Sequence, residues 1–214
     1  MRSRLPISGF YSLSLFVLLL ISTALSPKPG GCLRLDVMLV GDYSGSVAGS
    51  EGFVVNSFSA FYNRFELGEE QVKIGVISFN DSPTLVCPLT SDKKLLGGRL
   101  ATLVSQKADG GTNITSSLMY ASHELQENGR DNVRKIIIIV SDGINGGDDD
   151  ALIAISDQVT RLGFIICTIV IKDPESVYQI TNSSLMERIA TQGFYVESSY
   201  GTLINELEKL DVCL

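Results

Sequence analysis

One short run, Lys135-Ile136-Ile137-Ile138-Ile139-Val140, constrains the fold of this chain more than any other feature. It is uniformly apolar after its lysine, the pattern of a central strand covered on both faces. A strand of that kind needs helices above and below it, and the flanking sequence supplies them in alternation. Leu33 to Val40 (LRLDVMLV) predicts a strand ending at Gly41, and Val72 to Phe79 (VKIGVISF) predicts the next. Thr84 to Leu89 follows across the turn Asn80-Asp81-Ser82-Pro83, so the second and third strands form a hairpin. Gly163 to Ile171 and Gly193 to Glu197 complete a set of six strands.

Helices fill the intervals. Gly52 to Phe65 carries Phe53, Phe58, Phe61 and Phe65 at helical spacing. Ser91-Asp92 opens a weaker helix that Gly97-Gly98 is expected to interrupt. Thr115 to Gln126, Asp148 to Leu162, Ser183 to Ala190 and Gly201 to Leu210 read as the others, with Asp148, Asp149 and Asp150 at a positive helix N-terminus. The expected class is therefore α/β: a doubly wound, mostly parallel six-stranded sheet of Rossmann-like type, with one antiparallel edge strand and helices on both faces. Function in such sheets sits outside the carboxyl ends of the strands, at the topological switch point.

Composition removes several chemistries. The chain has 214 residues, 44% hydrophobic and 19% charged, which fits one domain and excludes disorder. Its single histidine, His123, excludes the usual catalytic zinc sets, and any serine or cysteine triad would have to use that residue. A net charge of −7 argues against an electrostatic nucleic-acid binder. No GxGxxG or GxxxxGK[ST] pattern points to a nucleotide.

The N-terminal segment resembles a secretory signal, with Arg2 and Arg4 before the apolar core Leu13 to Ile21 and small residues at Ser22-Thr23-Ala24. The expected division is 1–24 signal peptide, 25–31 leader and 32–214 a single domain, with a retained membrane anchor as the alternative. Removing Arg2 and Arg4 takes the charge from −7 to −9. The localisation expected is secreted or at the cell surface. Of the four cysteines, Cys87 and Cys167 lie inside apolar strand-like runs and read as buried small hydrophobes. Cys32 could serve as a lipid-attachment site, although Pro29-Gly30-Gly31 lacks the leucine such a site normally has.

Two strand ends carry the informative residues. Asp42-Tyr43-Ser44-Gly45-Ser46 follows the first strand, and alternate positions send the Asp42 carboxylate and the Ser44 and Ser46 hydroxyls toward a common point. Ser141-Asp142-Gly143 follows the isoleucine-rich strand, and the loop Asp109-Gly110-Gly111-Thr112-Asn113 offers a further hydroxyl. The set is all hard oxygen, which suits Mg²⁺, with Mn²⁺ or Ca²⁺ as alternatives. Each segment taken singly could also be an ordinary turn.

Taken together and in this order, Asp42-x-Ser44-x-Ser46, Gly110-Gly111-Thr112-Asn113-Ile114 and Val140-Ser141-Asp142-Gly143 resemble the von Willebrand factor type A domain over about Leu33 to Leu210. All five positions of that family's metal-ion-dependent adhesion site are matched: Asp42, Ser44, Ser46, Thr112 and Asp142. The resemblance implies that Ser44 and Ser46 ligate the metal directly, Thr112 directly or through water, and Asp42 and Asp142 mostly through bound waters. It also implies a protein partner whose Asp or Glu carboxylate completes the coordination, and a role in adhesion or assembly without catalysis. Some exported members join their two ends by a disulfide on the face opposite the metal, which would pair Cys32 with Cys213. Tyr43, Val47 to Glu51 and Ile144 to Asp150 would then shape partner specificity.

Two other functions compete. A metal-dependent phosphohydrolase would use Asp42 as nucleophile, but such sites want a second carboxylate two residues later, where this chain has Ser44. A structural subunit of a surface assembly would share the metal chemistry and differ only in partner.

Overall fold

The computed structural model describes residues 34–172 and 181–212. The expected signal and leader, Cys32 and Cys213 lie outside the described residues. Within them, β1 (Leu35–Asp42), β2 (Val72–Phe79), β3 (Pro83–Thr90), β4 (Arg134–Ser141), β5 (Ile165–Ile171) and β6 (Tyr195–Ser198) form one sheet in the order β3-β2-β1-β4-β5-β6. All neighbours are parallel except β2 and β3. The hairpin and the antiparallel edge strand are as the sequence predicts.

The helices are α1 (Glu51–Asn63), α2 (Lys93–Thr102), α3 (Ile114–Glu127), α4 (Asp149–Arg161), α5 (Ser183–Ile189) and α6 (Leu203–Lys209). Period-2 alternation along the strands sorts the core into two layers. Leu35, Val37 and Leu39 of β1 and Ile136, Ile138 and Val140 of β4 pack on one face with α1, α2 and α6. Met38 and Val40, with Ile137 and Ile139, pack on the other with α3, α4 and α5. Every isoleucine of the central run is fully buried, which is why that run carries no polar residue.

The expected interruption of α2 at Gly97-Gly98 does not occur. Asp92 caps the helix by accepting from the Lys94 and Leu95 N–H groups, and Leu96 and Leu100 anchor it in the core. A Cβ at position 97 would stand 3.0 Å from the Tyr62 hydroxyl of α1, so the glycine serves helix packing. Tertiary burial outweighs the weak helix propensity of the pair.

At the end of β1 opposite the strand tips, Asp36 is fully buried and bound to Arg130. Its carboxylate accepts from Arg130 N, Nε and Nη2, at 2.7, 2.9 and 2.6 Å. The guanidinium also donates to the carbonyls of Leu35, Glu69 and Gln71, tying the α3–β4 loop to the start of β1 and to the α1–β2 loop.

Candidate metal centre

The chain leaves β1 to one side, builds β2 and β3, and returns to place β4 on the other side of β1. Gly41 of β1 lies in register with Val140 of β4, so Asp42 and Ser141-Asp142 emerge side by side at the switch point. The sequence motifs are therefore neighbours because of topology, although about a hundred residues separate them.

Asp42 is 2% exposed and both its oxygens are used. Oδ1 accepts the Ser44 N–H at 2.8 Å, and Oδ2 accepts the Ser141 hydroxyl at 2.5 Å. Burial pushes the Asp42 carboxyl up to about 6; the hydrogen bonds from Ser141 and Ser44 oppose that, and the charge of nearby Asp142 adds to it. Ser44 is extended, and Gly45–Val47 then form one 3-10 turn. This turn, and not simple strand alternation, brings the Ser44 and Ser46 hydroxyl oxygens to 3.0 Å from each other.

The Thr112 loop is held against this turn from several sides. Gly45 N donates to Gly110 O at 3.0 Å, and Asp109 N donates to Tyr43 O at 3.0 Å. Glu51, at the start of α1, accepts the Ala108 N–H, and Asp81 of the β2–β3 turn accepts the Gly111 N–H, both at 2.9 Å. Gly110 has φ +81°, and a Cβ there would meet Asp81 Oδ2 at 2.5 Å, so glycine is required. Thr112 is buried, and its carbonyl accepts the Gly146 N–H of the β4–α4 loop. Asn113 caps α3 by accepting from Ser116 N. Asp142 is half-buried, its Oδ1 accepting the Ile144 N–H at 3.2 Å.

The structure thus gathers the Asp42–Ser46 turn, the Thr112 loop and the β4 tip at one end of the sheet. Two features escaped sequence reading. Ser141 braces Asp42 and accepts the Gly143 N–H. Asp81, in the β2–β3 turn, braces the Thr112 loop through the Gly111 N–H. Neither contact leaves a local sequence signal, since each crosses between distant segments. The expectation that Tyr43 and Val47 shape specificity is corrected: they are 1% and 3% exposed and belong to the α1-side core. The Tyr43 side chain points inward because β1 alternation continues one residue beyond the strand. Ala48, Gly49 and Gly146 to Asp150 are exposed around the site. Asp148 acts as the N-cap of α4, accepting the Asp150 N–H.

Among the described residues, no group of three or more His, Cys, Asp or Glu side chains is placed to hold a metal ion. Any cation here would rely on hydroxyls beside two carboxylates. The donor set fits that demand: adjacent ligands of an octahedral ion with bonds of about 2.0–2.1 Å stand about 2.9 Å apart, and the two serine oxygens stand 3.0 Å apart.

The model of the von Willebrand factor type A domain matches residues 36–209. The chain belongs to that family. Solved structures of the type A fold agree. Manganese-loaded TRAP protein of Plasmodium vivax is 16% identical, with a TM-score of 0.66 over 84% of this chain and 73% of that one. Proximal thread matrix protein 1 of the mussel byssus is 21% identical, with a TM-score of 0.70 over 86% of this chain. This chain covers 46% of the mussel protein, another form of which has a zinc-occupied MIDAS motif. The vWF domain of the type V pili tip protein Mfa5 from Porphyromonas gingivalis is 14% identical, with a TM-score of 0.66 over 82% and 93% of the two chains. At these identities the likeness is one of fold.

Proposed function

We propose that this type A domain is an exported adhesion or assembly module that takes a protein partner's Asp or Glu side chain through a divalent cation. The observation that carries the reading is the convergence of the Ser44 and Ser46 hydroxyls beside the braced Asp42 and the Thr112 loop. Ser44, Ser46 and Thr112 would hold the ion, and Asp42 and Asp142 would orient its water shell. Because both Asp42 oxygens already accept hydrogen bonds, an indirect role suits it. A bound cation would supply an electrophilic position for the partner's carboxylate, since neutral hydroxyls leave much of its charge uncancelled.

Mg²⁺ is the ion proposed, with Mn²⁺ or Ca²⁺ as alternatives; the manganese- and zinc-bearing relatives support a divalent ion in general. A pili tip protein and a byssal thread protein among the relatives favour adhesion or assembly over catalysis. The proposed location is outside the cell, reached by the N-terminal signal. The test is titration of the chain with Mg²⁺ and Mn²⁺, together with capture of partners with and without EDTA. Metal binding lost in Asp42→Ala and Ser44→Ala, with capture lost in EDTA, supports the reading. Capture indifferent to chelator and to both substitutions overturns it.

A further inference from the structure

Among the described residues, most cations without a carboxylate or carbonyl partner lie on one segment, α2 and the chain that follows it. Arg34, Lys73, Arg130, Lys172, Arg188 and Lys209 are each ion-paired with a carboxylate. Arg64 and Arg134 donate to backbone carbonyls. Lys94, Arg99, Lys107 and, on α4, Arg161 do neither and are exposed, while Lys93 and Lys135 rest over the Tyr62 and Phe164 rings. Over Lys93 to Lys107 the sequence has four bases and no acid, in a chain where 24 acids face 17 bases.

The position of this segment is informative. β3 runs antiparallel to β2, away from the strand tips, so α2 climbs back toward them over about 15 Å. It delivers the chain through the 3-10 turn Leu103–Ser105 to Lys107 and then to the Gly110-Gly111-Thr112 loop. Burial raises the Glu51 carboxyl, backbone N–H groups led by Ala108 lower it below its usual value, and the nearby charge of Lys107 adds a smaller pull. Leu95 and Val104 are 40% and 60% exposed between the cations. The other flank of the site, Asp148 to Asp150, is exposed and acidic.

We infer that α2 and the segment leading to Lys107 form a docking strip for an acidic, apolar-spaced segment of the same protein partner whose carboxylate meets the metal. This deepens the adhesive reading by giving the partner's chemistry and orientation: its acidic residues lie over α2 and away from Asp148 to Asp150. Charge complementarity selects an anion, and the exposed Leu95 and Val104 select a peptide over a sulfated polysaccharide, which offers no apolar surface.

The probe is a fluorescein-labelled dodecapeptide of alternating Glu and Leu, with a Gln/Leu peptide and heparin as comparison arms, titrated by anisotropy into the full chain in Mg²⁺. The Glu/Leu peptide should bind in a salt-sensitive way and the Gln/Leu peptide should not. Lys94→Glu/Arg99→Glu/Lys107→Glu should weaken the peptide about tenfold while leaving Mn²⁺ titration and the thermal melt unchanged. Arg161→Glu/Lys209→Glu should change nothing. Equal peptide binding by the triple variant overturns the proposal, and so does binding of heparin in preference to the peptide. If EDTA leaves peptide binding intact while the triple variant loses it, the strip stands and the metal-bridged reading falls; the reverse pattern sinks the strip alone.

Discussion

At the scale of single residues, the energetics centre on the two most deeply buried carboxylates among the described residues, Asp36 and Asp42, which have opposite solutions. Asp36 is neutralised by Arg130, which also ties down three carbonyls. Removing one partner leaves a buried charge, so Arg130→Ala should cost about 3–5 kcal/mol in urea unfolding. Asp42 has no such counterion. Its carboxyl, raised to about 6 when folded, sits above its unfolded value of 3.8. The folded state therefore holds the proton more tightly, and Asp42's contribution to stability is present below about 4 and lost as pH rises through 6. In EDTA, Asp42→Asn should stabilise the chain at pH 7.5 by about 1–3 kcal/mol and shrink the gain seen on acidifying toward pH 5. An unchanged denaturation midpoint in the variant would count against the raised carboxyl. Asp42 thus carries a standing cost in the metal-free domain that a cation and its waters would relieve.

The individual elements reveal where propensity yields to packing. Gly97 and Gly98 look alike in sequence, yet only one is constrained. A Cβ at Gly98 meets nothing within 4 Å, whereas one at Gly97 stands 3.0 Å from Tyr62 Oη. Gly98→Ala should therefore raise stability by about 0.5–1 kcal/mol, and Gly97→Ala should give no such gain because Tyr62 must move. Paired thermal melts of the two variants check this. β5 offers a second case: Cys167 is fully buried and its thiol is pushed up to about 12 by desolvation. Native protein should leave Cys167 unlabelled by iodoacetamide at pH 8, with labelling only on unfolding. Cys87 on β3 is also free and buried.

For the whole molecule, the proposed cation acts at the strand tips, one end of the sheet. Mg²⁺ at a hundred times its dissociation constant should add about 2.7 kcal/mol of stability, an increment that Ser44→Ala should reduce. At the other end, Leu35 is in register with Arg134, and the Arg134 guanidinium reaches Val212 O at 3.5 Å. The pairing of Cys32 with Cys213, both outside the described residues, is proposed on the family resemblance alone. Mass analysis after alkylation without reductant should find neither thiol free; closing so long a loop would contribute roughly 4–5 kcal/mol in the chain-entropy model.

Sequence alone determined the layers, because periodicity is a local property: a two-residue rhythm or an unbroken apolar run dictates which faces of a strand are buried. It also made the oxygen-rich strand ends legible, since Asp42 to Ser46 and Ser141 to Gly143 are contiguous motifs. It misjudged Tyr43, Val47 and Gly97-Gly98, whose directions depend on what packs opposite them. The bracing of Asp42 by Ser141 and of Gly111 by Asp81 was decided only by tertiary structure. So was the clustering of unpaired cations on α2, because whether a lysine has a carboxylate within reach is settled by topology and not by its neighbours in the chain. Local free energies choose the elements; only the closed sheet chooses which distant groups must share one patch of space.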